Sequence, residues 1–159
     1  MRVTASGGTD AGNIVLFWPE NLPEDADAVA RTHDIIPLID QLRKDGKLIW
    51  FICDGGDGGF SVAIYVRTAI PEALARLCQD EDNYPKMTVK GDGYFGGLEY
   101  IFKRDSSLSA KFPGMLEKVA IPQGTYTAKV YRTAITDVRR QSWLGDHVGK
   151  MARLLLIQA

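Results

Sequence analysis

Leu48-Ile49-Trp50-Phe51-Ile52-Cys53 runs into Asp54-Gly55-Gly56-Asp57-Gly58-Gly59 and out again as Phe60-Ser61-Val62-Ala63-Ile64-Tyr65-Val66-Arg67. The first segment is apolar throughout, as a fully buried strand is. The last alternates, with Phe60, Val62, Ile64 and Val66 on one face and Ser61, Ala63, Tyr65 and Arg67 on the other. That period of two belongs to a strand with one face nearer solvent. Asp-Gly pairs between two extended runs are the usual mark of a tight reversal. The stretch therefore predicts an antiparallel hairpin over residues 48–67.

Upstream, Asn13–Trp18 is a short β-branched and aromatic run stopped by Pro19, and reads as a buried strand. Asp34–Lys44 reads as the clearest helix. Asp34 is a suitable N-cap and Pro37 falls in the first turn, where its missing N–H costs nothing. Ile35, Leu38, Ile39 and Leu42 make one apolar stripe. Arg43 and Lys44 suit the C-terminal dipole, and Gly46 is placed to end the helix.

Downstream, Pro71–Cys78 has the composition of a short helix and Gln79–Pro85 that of a polar loop. A second hairpin is expected from Lys86–Lys90 to Leu98–Lys103, across Gly91-Asp92-Gly93-Tyr94-Phe95-Gly96-Gly97. Leu108–Val119 is a broken, helix-compatible segment. Gly124–Thr133 and Arg153–Gln158 read as strands, and residues 135–150 have no clear pattern. The expected fold is α+β: a single domain over residues 1–159, with a largely antiparallel sheet, about three helices and βαββ-like units.

Composition bounds the function classes. The 159 residues are 45% hydrophobic and 25% charged, as in ordinary globular domains. Net charge is −1, so no global field draws the chain to nucleic acid or to an anionic membrane. The charge is uneven: residues 1–45 hold eight acids against four bases, residues 119–159 six bases against two acids. No apolar stretch approaches a membrane span, and the first residues lack the apolar core of a signal peptide. Two cysteines, Cys53 and Cys78, are too few for a disulfide framework and read as reduced core thiols, so the expected location is cytoplasmic.

Catalytic and metal motifs do not emerge. A phosphate loop needs its glycines between a strand and a helix, whereas both glycine clusters here precede strands. Asp54, Asp57 and Asp92 resemble a calcium loop only in part, because position 12 counted from Asp54 is Tyr65. Cys53, Cys78, His33 and His147 lack zinc-ligand spacing. No metal and no cofactor is expected. A Cys53 or His147 hydrolase or transferase is a third-ranked reading, without a nucleophile elbow to support it.

The candidate contact residues are aromatic or basic. Tyr94 and Phe95 sit in the Gly-rich connection, where a hairpin tip would expose them to a partner or ligand; the alternative is that Phe95 folds back over the sheet. Trp143 stands between Arg139-Arg140 and His147 as a second surface anchor. Trp18, Trp50, Phe17 and Phe51 belong to the core. The first function expected is a non-enzymatic binding or protein-interaction module of immunity or regulatory type, with a protein partner or a homodimer. The second is a small-molecule effector-binding domain with a pocket between sheet and helix.

One local resemblance accompanies this reading. Ile121-Pro122-Gln123-Gly124-Thr125-Tyr126 leading into a strand resembles the GyrI-like effector-binding domains, in which a Pro-x-Gly-x-Tyr segment opens a strand. The resemblance covers about six residues. The acidic ligand-binding residue of that family has no identifiable counterpart among Glu99 and Glu117, so no site is carried over.

Overall fold

In the computed structural model, residues 1–9, 12–26, 35–52, 58–101, 114–133 and 152–158 are described. They form nine strands: β1 (Arg2–Thr9), β2 (Asn13–Phe17), β3 (Leu48–Ile52), β4 (Gly58–Val66), β5 (Cys78–Val89), β6 (Gly93–Gly97), β7 (Leu116–Val119), β8 (Gly124–Thr133) and β9 (Ala152–Gln158). Helix α1 spans Ile36–Lys44 and the single turn α2 spans Glu72–Ala75. Short 3₁₀ turns lie at Pro19–Asn21 and Leu98–Tyr100.

The strands make two sheets, ordered β1-β4-β9-β8-β5 and β3-β2-β6-β7. Every pairing is antiparallel except β4 with β9. The α+β, largely antiparallel expectation therefore holds, but both expected hairpins are overturned. β3 pairs with β2, while β4 pairs with β1 and β9. β5 pairs with β8, while β6 pairs with β2 and β7. Each Asp/Gly segment leads from one sheet to the other. Turn chemistry permits a reversal without choosing the partner, and β4 meets two partners as a central strand only inside the five-stranded sheet.

Burial follows the same division. Alternate residues of β2 serve two cores, because both faces of its sheet are covered. Ile14, Leu16 and Trp18 face the space between the sheets with Ile49, Phe51 and Phe95. Val15 and Phe17 face outward and are covered by Ile39 and Leu42 of α1 and by Leu98 and Ile101. That explains why β2 reads as a continuous apolar run. On the outside of the five-stranded sheet, Ala63 and Tyr65 pack under Leu74 of α2.

Several boundaries differ from expectation. The polar stretch Gln79–Pro85 belongs to the edge strand β5, whose outward side chains need no apolar character. Tyr94-Phe95-Gly96-Gly97 is not a connection but most of β6. Its glycines are needed for close crossing: a β-carbon on Gly7 of β1 would lie 2.8 Å from Gly96 Cα. The expected helical segment ends in strand β7, and its residues 108–113 lie outside the described residues. Cap residue Asp34 lies outside them too, while Gly46 ends α1 as expected. It has φ of 66°, its N–H donates to Arg43 O, and the Lys47 N–H donates to Leu42 O, the Schellman pattern.

Candidate functional site

The candidate site lies where the edges of β3 and β5 approach each other. The approach begins tightly: the Thr88 N–H donates to Gly46 O at 2.9 Å, and Asn21 Nδ2 bridges Lys47 O and Thr88 O. Four residues along, the Trp50 N–H donates to the Tyr84 hydroxyl at 3.1 Å. The chains run in opposite senses, yet at Tyr84 a side chain has replaced the backbone bond. Next to this bridge the seam opens into a recess of about 280 Å³ lined by Asp40, Arg43, Trp50, Glu81 and Asp82.

A β-bulge puts Glu81 and Asp82 there together. Successive strand residues ordinarily point to opposite faces. In the β5–β8 register Asp80 faces Tyr131 and Asp82 faces Val130, so Glu81 is an extra residue. The bulge re-aims the strand and lets two consecutive carboxylates line one recess. A second register shift between Tyr84 and Met87 accommodates Pro85, a residue tolerated at edges and bulges.

The electrostatics of the recess are organised around one fork. Arg43 Nε donates to Asp82 Oδ2 at 2.9 Å and Nη2 to Oδ1 at 2.7 Å. This two-bond pairing fixes both side chains. Burial alone would lower the Arg43 pKa, but the hydrogen bond and charge of Asp82 outweigh it and raise it. The Arg43 guanidinium also lies 5.9 Å from the centre of the Tyr84 ring. Burial pushes the Tyr84 phenol far above its ordinary 10.0; the Trp50 N–H works against this and the Asp82 charge adds to it. Tyr84 is thus held neutral. Trp50 is steadied by its indole N–H, which donates to Asn13 Oδ1 at 3.0 Å. Asp40 pairs with Lys44 one turn on, and Glu81 with Arg132 at 3.3 Å. The lining therefore offers carboxylates, a fixed guanidinium and an indole wall, which suits recognition of a charged group.

A second, apolar recess of about 350 Å³ lies between the outer face of the five-stranded sheet and α2. Arg2, Tyr65, Pro71, Ala73 and Leu74 line it, and the Arg2 guanidinium is 6.0 Å from the Tyr65 ring centre.

Of the expected contact residues, Tyr94 and Phe95 line neither recess. Tyr94 and Phe95 are buried in β6, against Phe17 and Phe51 respectively, so the hairpin-tip exposure expected for them is corrected: paired strands on both sides leave the two rings in opposite cores. Trp143, Arg139 and Arg140 lie outside the described residues, as do Cys53, His33, His147, Asp54 and Asp57. Asp92 pairs with Lys118 at 2.7 Å. Cys78 is half-buried, its thiol donates to Leu74 O, and burial, then the charge of Asp80, push its pKa up. Among the described residues no group of acids, histidines and cysteines is placed to hold a metal ion. Nor is any helix among them long and apolar enough to cross a membrane. Pro122–Tyr126 forms a local corner: the Tyr126 hydroxyl donates to Pro122 O at 2.7 Å, and Arg67 stacks 5.3 Å from its ring.

No protein-family model and no curated protein matches the chain. A solved structure described as "Crocagin biosynthetic gene J" is similar to it, with a TM-score of 0.56 and 12% identity, covering 98% of this chain and 94% of that one. That likeness shows a shared fold.

Proposed function

We propose that the protein is a non-enzymatic binding or protein-interaction module that takes its partner at the β3–β5 recess. The observation that carries the reading is the bulge that sets Glu81 and Asp82 beside Trp50. A bulged edge strand whose carboxylates converge with an aromatic wall is a costly arrangement for stability alone, since it gives up regular ladder bonds. Each charged lining group is held in an ion pair, Arg43 with Asp82, Asp40 with Lys44 and Glu81 with Arg132, which suits holding a charged group better than moving protons. A reducing, cytoplasmic setting is part of the proposal and is supported by the free thiol of Cys78.

The test is comparative capture. Asp40→Lys adds bulk and opposite charge at the rim, from a helix position whose side chain is already partly exposed. Wild-type protein should recover a partner that Asp40→Lys loses. Equal recovery by both would contradict the recess as the binding place.

A second reading, a small-molecule effector domain, is favoured by the apolar recess between sheet and helix. Its volume of about 350 Å³ lies within the ordinary range for ligand pockets. The structural neighbour's description as a biosynthetic gene is in keeping with it. Thermal-shift measurement against a metabolite panel separates the two readings: a stabilising ligand whose effect is lost in Leu74→Ala supports the second.

A further inference from the structure

We infer that the outer edge of β5 accepts an extended basic segment of a partner polypeptide as an added strand, with one lysine or arginine side chain entering the Trp50 recess. The inference rests on the recess being the binding place and names the chemistry of what enters it.

Three observations carry it. β5 is the last strand of its sheet, and among the described residues no strand pairs with its outer side. Its contacts with the β3 edge fall at Thr88 and Tyr84, so Cys78–Asn83 extend past the bridged part of the seam. Such an edge presents main-chain donors and acceptors that an extended peptide can satisfy, the Asn83 N–H excepted, which donates to Asp82 Oδ1 at 2.9 Å. The second observation is the sign of the edge. Asp80, Glu81 and Asp82 are consecutive. A second copy paired antiparallel about Glu81 would set Asp80 opposite Asp82, a repulsive arrangement. A basic segment would meet these carboxylates favourably. The third is the recess itself. Carboxylates of Asp40 and Glu81 beside the Trp50 indole are what an ammonium or guanidinium group binds, through charge-assisted hydrogen bonds and the ring face. The guest exchanges with Lys44 and Arg132, whose side chains are 61% and 43% exposed. Arg43 and Asp82 keep their two-bond pairing and shape the floor.

The experiment titrates the full chain with a capped threonine–valine peptide of about eight residues, a common strand length, carrying one central lysine. Backbone amide and indole N–H shifts are followed by NMR. Two control peptides carry norleucine for lysine, or N-methyl groups on alternate backbone amides. The lysine peptide should move the amides of Cys78–Asn83 and the Trp50 indole. Each control should bind roughly tenfold more weakly, the loss of one charged contact or of several main-chain bonds. Glu81→Gln should weaken the lysine peptide and spare the norleucine one, while Lys118→Ala, on β7, should leave both unchanged. Equal binding of the lysine and norleucine peptides, or of the N-methylated peptide, overturns the inference. So does a β5-mediated dimer that the lysine peptide does not dissociate. In either case the recess reading stands or falls separately, on whether Asp40→Lys loses the captured partner.

Discussion

Along β1 and β7 the two sheets meet through backbone. Gly7 lies against Gly96, the Gly8 N–H donates to Met115 O at 3.2 Å, and the Ser6 N–H donates to the Glu117 carboxylate. Along β3 and β5 they meet by backbone only at Gly46 and Thr88, then by the Tyr84 hydroxyl, and then part around a recess. The first seam is closed where glycines let backbone approach backbone, with the Glu117 carboxylate as a side-chain link to Ser6. The second is wedged by side chains, and the side chains that wedge it are polar. A closed seam contributes stability and leaves little room for anything else. An open seam forgoes part of that stability and gains a lined cavity. Function is therefore expected at the second seam and intolerance of added bulk at the first.

Substitutions can break this contrast, and the largest effect is expected where both demands coincide. Gly46 ends α1 at positive φ, and a β-carbon there would collide with Lys86 O. Gly46→Ala should destabilise by about 3 kcal/mol, combining left-handed strain with overpacking against backbone. A urea midpoint within error of wild type would show that the tight end of the seam is not as described. At the closed seam, Gly7→Ala brings a β-carbon within 2.9 Å of Phe95 O and 3.0 Å of Met115 O. Overpacking against unyielding backbone should lower stability by about 2 kcal/mol, read from the same denaturation curve. Tolerance of alanine there would mean that β1 does not lie against β6.

Tyr84→Phe sharpens the comparison at the bridge. It strands the Trp50 N–H without an acceptor, at a cost of roughly 1–2 kcal/mol at neutral pH. It also changes the alkaline limb. The phenol pKa is raised in the folded state, so the native protein holds that proton more tightly than the unfolded chain does. Its contribution is fully present below the ordinary 10.0 and declines as pH rises above it. Wild type should therefore lose stability more steeply than Tyr84→Phe above pH 10, measured by urea midpoints along a pH series. Parallel curves would contradict burial of the phenol. Smallest of all, Lys44→Ala removes an exposed pair one helical turn apart and should move stability by no more than about 0.5 kcal/mol. A larger loss would mean that Lys44 is part of the wall and not a displaceable rim.

The parts of this architecture that could be read from sequence are those where burial alone sets the pattern. β2, β3, β4, β8 and β9 announce themselves by apolar runs or alternation, and α1 by its stripe and by Gly46. What could not be read is partnership. Asp54–Gly59 and Gly91–Gly97 look like reversals locally, but partners were decided by which strands needed two neighbours. β6 was hidden because Gly93, Gly96 and Gly97 are poor strand formers, present for close packing on Trp18, Met115 and Glu99. β5 was hidden because an edge strand with two register shifts has no clean period. The recess followed β5 into obscurity. Asp40 and Arg43 read as ordinary helix surface, Trp50 as core, and Glu81 and Asp82 as loop. Only the register against β8 reveals that Glu81 is the extra residue.

The most direct test of the account is the set of nuclear Overhauser contacts made by the Trp50 amide and α-protons. The two-sheet arrangement predicts contacts from that amide to the Tyr84 ring across the seam, and from the Trp50 α-proton to the Val15 α-proton on β2, with none to β4. Contacts from the Trp50 amide to Val62 or Ile64 instead, as a simple 48–67 hairpin would give, would contradict it and remove the recess.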